Sequence, residues 1–357
     1  MSDGATWQRE TMQRKDARSP KGYVRLLCFS LLLLTGCSSQ PRVVSGIQCV
    51  TPAQNASSPL VTPTYDASGT TVEPTVLDFP NSWHGFRYWM VASPFPNGDA
   101  NFENPSIFVS QDGTQWSVPH GLTNPVVLPT QGILADGTVA YDATDDELWL
   151  YYLNDINDAS GTTHEHLLRT ESKNGVNWTK PRDLLQGLYN PLTSPSVVNV
   201  GGIYFLWNVV VGASGCGSSS TTVVYRTSTD GLHWSAPQPT NLSVPNYIVW
   251  HLNVTRIPGT NQLLIANTAY PAASKSCGDT ILFFGTSFDG ITWSNPQIML
   301  NLGPKGQWDE RTIYRSSFLY DDTQSLLRIW YSADGPLGWH VGYSQTSCTT
   351  ANQSLTP

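Results

Sequence analysis

Charge is scarce in this chain, and positive charge scarcest: Lys and Arg number 19 among 357 residues against 27 Asp and Glu, for a net charge of −8. So acidic a balance makes nucleic acid a poor partner. Long apolar runs are missing as well. The run Leu26 to Leu34 is too short to span a bilayer as a helix of the mature protein. Against these shortages stand 29 Gly, 25 Pro, 13 Trp and 15 Tyr, a composition suited to many short strands joined by turns, in a length that can hold one large all-β domain.

The apolar run has its own meaning. Arg14, Lys15, Arg18, Lys21 and Arg25 precede it, so residues 1–36 read as a signal peptide. It ends in Leu34-Thr35-Gly36-Cys37, which resembles a bacterial lipobox. That resemblance implies cleavage before Cys37 and acylation of its sulfur, with attachment to the cell envelope through lipid alone. The expected location is therefore an exported lipoprotein, on the outer membrane where the cell has one. Removing residues 1–36 leaves 13 cationic and 24 acidic side chains, a net charge of −11. Residues 37–70 are rich in Ser, Pro and Thr and read as a tether, apart from a strand candidate at Arg42 to Val50.

The most informative stretch occurs four times. Ser110-Gln-Asp112-Gly113-Thr-Gln-Trp116-Ser-Val-Pro119 returns around Asn174-Gly175 and Trp178, Asp230-Gly231 and Trp234, and Asp289-Gly290 and Trp293. Asp-Gly or Asn-Gly after an apolar run supplies a tight turn, and the following Trp covers the hairpin. The tryptophans recur at intervals of 62, 56 and 59 residues, a period of repeated β units. Four marked units and an unmarked fifth predict an all-β, five-bladed β-propeller over residues 71–348, followed by a tail at 349–357. Each unit reads as inner strand, aromatic-rich second strand, third strand, turn and outer strand. The fifth runs out after three strands. An open edge is a liability, so the segment near residues 42–50 is expected to supply the missing outer strand and close the ring.

Cysteine placement fits this ring. Cys28 lies in the signal and Cys37 at the lipidation site, leaving four cysteines and three possible pairings. Closure brings Cys49 beside Cys348. Cys216 and Cys277 occupy the same loop of adjacent units, which predicts the second bond.

Strand direction then sorts the polar residues by face. The loops between second and third strands share a face with the beginnings of the inner strands, and the Asp-Gly turns lie opposite. Asp112, Asp230 and Asp289 are thereby assigned to turn formation. The residues that converge at the mouth open the inner strands: Glu73, Asp136, Ser194, Trp250-His251 and Tyr314-Arg315. Neighbouring loops add Glu103, Asp155, Asp158, Glu165 and Trp308-Asp309. Carboxylates among aromatic rings suit sugar chemistry, in which one group protonates a glycosidic oxygen, another activates water, and flat rings meet the C–H face of the sugar. His164 and His166 flank Glu165 without a third ligand, so no metal is expected there, and no cofactor is called for. Arg311 and Arg315 fall short of the arginine cluster a sialidase needs.

Here the chain resembles the five-bladed propeller glycosidases of glycoside hydrolase family 43 and related clans. The likeness rests on the S-x-D-G-x-x-W turns and on inner strands such as Glu73-Pro-Thr-Val and Asp136-Gly-Thr-Val. It implies a general base at Glu73, one methylene longer than the usual Asp, and a pKa-tuning carboxylate at Asp136. The general-acid position falls on Ser194, which cannot do that work, and Glu103 is the substitute candidate. Ser194, Trp250, His251, Arg315, Trp308 and Asp309 become candidates for substrate binding. The expected function is a glycan-active enzyme, a glycoside hydrolase with paired carboxylates in the funnel. The alternative is a carbohydrate-binding surface lipoprotein without catalysis.

Overall fold

A computed structural model of the chain describes residues 42–188, 190–274 and 277–355. The expected signal peptide and Cys37 lie outside the described residues. Nearly all regular structure is strand, and the ring body is Val44–Gln353.

Five antiparallel sheets surround one axis. Blade 1 contains β2 (Thr71–Trp83), β3 (Phe86–Pro94) and β4 (Ser106–Ser110). Blade 2 contains β5 (Ile133–Asp142), β6 (Glu147–Asn157), β7 (Thr163–Ser172) and β8 (Arg182–Leu188). Blade 3 is β9 (Thr193–Val200), β10 (Ile203–Val210), β11 (Thr222–Ser228) and the short β12 (Gln238–Pro239). Blade 4 is β13 (Tyr247–Arg256), β14 (Leu263–Pro271), β15 (Ile281–Ser287) and β16 (Gln297–Leu300). Blade 5 is β17 (Thr312–Asp321), β18 (Leu326–Asp334) and β19 (His340–Leu355), and its outer edge is covered by β1 (Arg42–Cys49). The ring is thus closed by the segment expected to close it.

Blade 1 departs from the expected four strands. The segment after Trp116 makes only an isolated bridge, Val109 with Ser117. Pro119 has no N–H to donate, and its carbonyl accepts Leu122 N in a turn, so the chain leaves the sheet after one pair.

Both disulfides form, Cys49 with Cys348 across 299 residues and Cys216 with Cys277 across 61. Crosslinking so long a loop limits the unfolded chain by roughly 5 kcal/mol in the entropic account. Beside the first bond, Val50 N donates to Ser347 O and Thr346 Oγ1 to Val50 O.

Adjacent blades are also joined on the turn face. Trp330 Nε1 of blade 5 donates to Gly113 O of blade 1 at 2.7 Å, and Trp207 Nε1 of blade 3 to Gly290 O of blade 4 at 2.7 Å. The indoles lie so close that a Cβ on Gly113 would meet Trp330 at 2.8 Å, and one on Gly290 would meet Trp207 at 2.5 Å. Both glycines also have φ above +70°, which side-chain-bearing residues avoid. The repeated Asp-Gly is therefore a socket for the neighbouring blade as well as a turn.

Candidate active site

The inner strands do not begin smoothly. Register breaks lie between Val72 and Thr75 in β2, Ala135 and Thr138 in β5, Val249 and His251 in β13, and Ile313 and Ser316 in β17. Each bulge re-aims a side chain toward the axis. In the first three blades the turning residue is left-handed: Glu73 at φ 60°, Asp136 at 55° and Ser194 at 59°. Such strain in residues with side chains persists only where neighbours fix it, and it concentrates at functional sites.

What fixes it is a relay of hydrogen bonds around the ring. Ser332 Oγ accepts from Glu73 N at 3.2 Å, Glu73 Oε2 from Asp136 N at 2.8 Å, and Asp136 Oδ2 from Ser194 N at 2.8 Å. Ser194 Oγ donates to Leu252 O at 2.9 Å, and Leu252 N lies 3.0 Å from the same oxygen. Four of the five junctions between blades are tied through Glu73, Asp136 and Ser194, the residues that open the first three inner strands. Ser194, at the expected general-acid position, is a wholly buried link in this relay rather than a substrate contact.

Glu73 and Asp136 each spend one carboxylate oxygen on the relay, and Asp136 Oδ1 also accepts from Arg315 Nη1 at 3.5 Å. Together with His251 they place donor atoms within 4.8 Å of one another, all three residues being buried. His251 Nδ1 lies 3.4 Å from Asp136 Oδ1, a close approach without hydrogen-bond geometry, and neither ring nitrogen has a hydrogen-bond partner. An imidazole 2% exposed with both nitrogens unspent, beside two carboxylates, fits the donor set of a divalent cation. Glu103 completes the group, its carboxyl within hydrogen-bonding reach of Glu73. Burial and the charge of Asp136 push Glu73 and Glu103 well above the ordinary carboxylate range. Burial alone would raise Asp136 too, but His251, Arg315 and Glu73 hold it below its usual value. Burial lowers His251, favouring the neutral ring that a metal ligand or base requires.

Arg315 was expected to touch substrate, and its position corrects that. It is fully buried, and its guanidinium spans the axis, donating Nη1 to Gly137 O at 3.1 Å, Nη2 to Pro195 O at 2.5 Å and Nε to Leu252 O at 3.3 Å. It braces blade 5 against blades 2, 3 and 4 and lies 3.5 Å from Asp136 Oδ1. Trp308 and Asp309 also lie elsewhere. Trp308 packs on Tyr331 and donates to Ala56 O, while Asp309 Oδ2 accepts from Tyr331 and Asn55, so both bind the 55–56 segment to blade 5. Trp250 does reach the site, its ring against His251 at 5.2 Å.

Tyr314 is the contributor that residue type alone understated. Its ring covers His251 at 4.0 Å and meets Trp339 at 5.3 Å, which in turn packs on Phe95 at 5.7 Å. The available clue was its slot, immediately before Arg315 as Trp250 is before His251. Asp155 and Glu165 face each other across β6 and β7. Glu165 Oε2 accepts Leu192 N, and burial followed by the charge of Asp155 pushes its carboxyl up to about 8. His164 pairs with Asp158 and His166 with Asp183, so the two histidines flanking Glu165 do not converge.

With this geometry the chain can be set beside known proteins. No family model matches it. A crystal structure of an N-acetylgalactosamine deacetylase from F. plautii, in complex with blood group B trisaccharide, superposes with a TM-score of 0.72 at 24% identity, covering 84% of this chain and 95% of that one. The catalytic domain of the GH62 α-L-arabinofuranosidase of Coprinopsis cinerea gives a TM-score of 0.53 at 15% identity, covering 83% and 98%. The fold is that of the five-bladed glycosidase propellers. By sequence, an A type blood N-acetyl-α-D-galactosamine deacetylase of Flavonifractor plautii is 28% identical over 307 residues, which is 73% of this chain and 39% of that protein. The chain therefore spans about two fifths of the length of that curated relative.

Proposed function

We propose that this propeller is a glycan-directed hydrolase and that the bond it breaks is the acyl–nitrogen bond of an acetamido sugar. The observation that carries the reading is the Glu73, Asp136 and His251 cluster, with both His251 ring nitrogens unspent beside two carboxylates and no carboxylic acid at Ser194. Glycosidic cleavage sets two carboxyl groups about 5 to 9.5 Å apart, across the scissile bond. Here Glu103 meets Glu73 directly, and the third inner strand contributes only a backbone-bound hydroxyl. Access also favours a slender group. Glu73, Asp136, His251 and Glu103 are 1%, 4%, 2% and 7% exposed beneath Tyr314, Trp250 and Trp339, so a flat acetamide reaches them more readily than a sugar ring. The similarity to the F. plautii deacetylase supports the same chemistry.

The chain's groups divide the work as follows. Glu73 and Glu103 share the proton traffic as a coupled pair: the member that is ionised takes a proton from water as it adds to the acyl carbon, and the member still protonated returns one to the departing amine as the C–N bond breaks. Asp136, ionised, and His251 hold the electrophilic side of the site. A divalent cation bound by Glu73, Asp136 and His251 would polarise the carbonyl and acidify the attacking water.

The test measures acetate and free sugar separately from N-acetylgalactosaminides, with chelator and with added divalent cation. The expected result is acetate release that chelation reduces and that Glu73→Gln or Asp136→Asn abolishes. Sugar release without acetate would favour the second reading, a glycoside hydrolase, which the arabinofuranosidase-like fold supports. Glycan binding that survives Glu73→Gln, with no turnover by wild type, would leave a binding protein.

For the N-terminus we infer lipid attachment at Cys37. Cys37→Ser is expected to move the protein from the detergent-extracted envelope to the soluble fraction.

A further inference from the structure

Residues 50–70, between β1 and β2, lie along the ring as a strap. Val50 N donates to Ser347 O, Ala53 N to Met299 O and Leu60 N to Val341 O, so the strap runs back beside β19 toward the mouth. There it closes into a loop. Thr71 N bonds Trp339 O and Phe95 N bonds Thr70 O at the base, while Thr64 ties the loop to itself, its Oγ1 accepting Gly69 N at 2.9 Å and its carbonyl accepting Ala67 N at 3.1 Å. Thr62 and Thr64 are buried, and Tyr65 stands on that footing.

The Tyr65 hydroxyl meets the segment that carries Glu103 twice. It donates to Phe102 O at 3.0 Å and accepts from Asn104 Nδ2 at 2.8 Å, on the residues immediately before and after Glu103. Within that segment Asp99 Oδ1 accepts Asn101 N, Glu103 N donates to Ala100 O, and Asn104 Nδ2 also reaches Asn101 O at 3.2 Å. Those bonds are local and shape the segment. The two Tyr65 bonds span 37 and 39 residues and fix its place on the ring. With Asn104 3% and Glu103 7% exposed, water competes poorly for the groups involved.

From this arrangement we propose that Tyr65 is a positioning residue for Glu103, holding its carboxyl against Glu73 through the peptides on either side. The inference rests on the proposed use of Glu73 and Glu103 as a proton-transfer pair. Such transfer needs hydrogen-bond distance, and a displacement of about 1 Å costs roughly a hundredfold in rate. The strap thereby belongs to the reacting unit although it carries no reacting group.

Two measurements on the full-length protein test this. Hydrogen exchange of wild type and Tyr65→Phe reads the placement without reference to any reaction. The expected result is at least tenfold faster exchange at the Glu103 and Asn104 amides, with Ser106–Ser110 unchanged and the melting temperature lowered by no more than about 4 °C. Acetate release from N-acetylgalactosaminides then reads the consequence. Because the ring is kept and only the hydroxyl is lost, kcat should fall about ten- to a hundredfold while KM stays within about twofold. Unchanged exchange at Glu103, or a kcat within about twofold of wild type, would overturn the proposal. Faster exchange in a protein whose wild type releases no acetate would count against the proposed reaction, with the hold of Tyr65 on Glu103 supported.

Discussion

Asp112 and Asp136 carry the same side chain on opposite faces of one ring and use it in contrary ways. On the turn face, Asp112 Oδ1 accepts from Thr114 N at 2.7 Å, Gln115 N at 2.8 Å and Ser110 Oγ at 3.1 Å, all within five residues. Burial would raise its pKa, yet those donors hold it below the ordinary value. On the other face, Asp136 accepts one amide from the next blade with Oδ2 and keeps Oδ1 toward His251 and Arg315. Asp112 is oriented by its own turn and serves the local backbone. Asp136 is oriented by groups from other blades, which fix it rigidly beside His251, and rigid placement is what a reacting group requires.

The sharpest way to break this contrast is to neutralise both residues in parallel. Asp136→Asn is expected to cut turnover roughly a thousandfold, within the range for loss of a group acting in proton transfer or metal binding, while thermal unfolding shows it folded. Asp112→Asn should leave turnover within about twofold and cost at most about 1 kcal/mol of stability, as for a weakened cap. Equal losses of activity would erase the distinction between the faces.

The next effect belongs to the turn face alone. Gly290→Ala drives a methyl against Trp207 at a φ of +73°. The expected destabilisation is about 3 kcal/mol, from combined overpacking and backbone strain, read by chemical unfolding. A fully stable Gly290→Ala would mean that blades 3 and 4 are not locked at this socket.

On the site face, Glu165 gives a pH signature. Its folded pKa of about 8 exceeds the ordinary glutamate value of 4.5, so above the lower value the unfolded chain releases a proton that the folded chain retains. Stability should fall as pH rises from about 5 to 8, by about 1.4 kcal/mol per unit at the steepest. Glu165→Gln keeps an acceptor for Leu192 N and should flatten that slope in a melting-temperature series. An unchanged slope would place the titration elsewhere.

The smallest effect tests the relay. Ser194→Ala removes both contacts to Leu252 and should cost about 1 kcal/mol. Turnover should change little, and a thousandfold loss would return Ser194 to the reacting groups.

Much of this architecture was legible in the chain because repeats turn local chemistry into global geometry. Three Asp-Gly turns and one Asn-Gly turn gave the blade period, and the period placed Glu73, Asp136 and His251 on one rim, where the structure gathers them. The same reasoning paired Cys216 with Cys277 and Cys49 with Cys348. Depth was harder to read. Arg315 occupies the same slot as His251 but is long enough to cross the axis, and nothing in its neighbours declares that its bonds go to three carbonyls. Trp308 and Asp309 sit in a connection whose direction is set by contacts with Ala56 and Asn55, far away in the chain. The left-handed positions themselves are Glu73, Asp136 and Ser194 rather than glycines, and even Gly137 beside Asp136 is not the residue that turns.

The seam of the circle has a temporal consequence. The fifth sector is completed by β1 pairing beside β19, so the earliest-made strand of the ring is joined to the last-made one. During synthesis, four sectors and most of a fifth emerge while β1 still has no strand to pair with. The relay that positions Glu73 through Ser332 is likewise unavailable until β18 exists. The geometry of the rim is thus completed late, with the final strands rather than with the sectors that carry Glu73, Asp136 and His251.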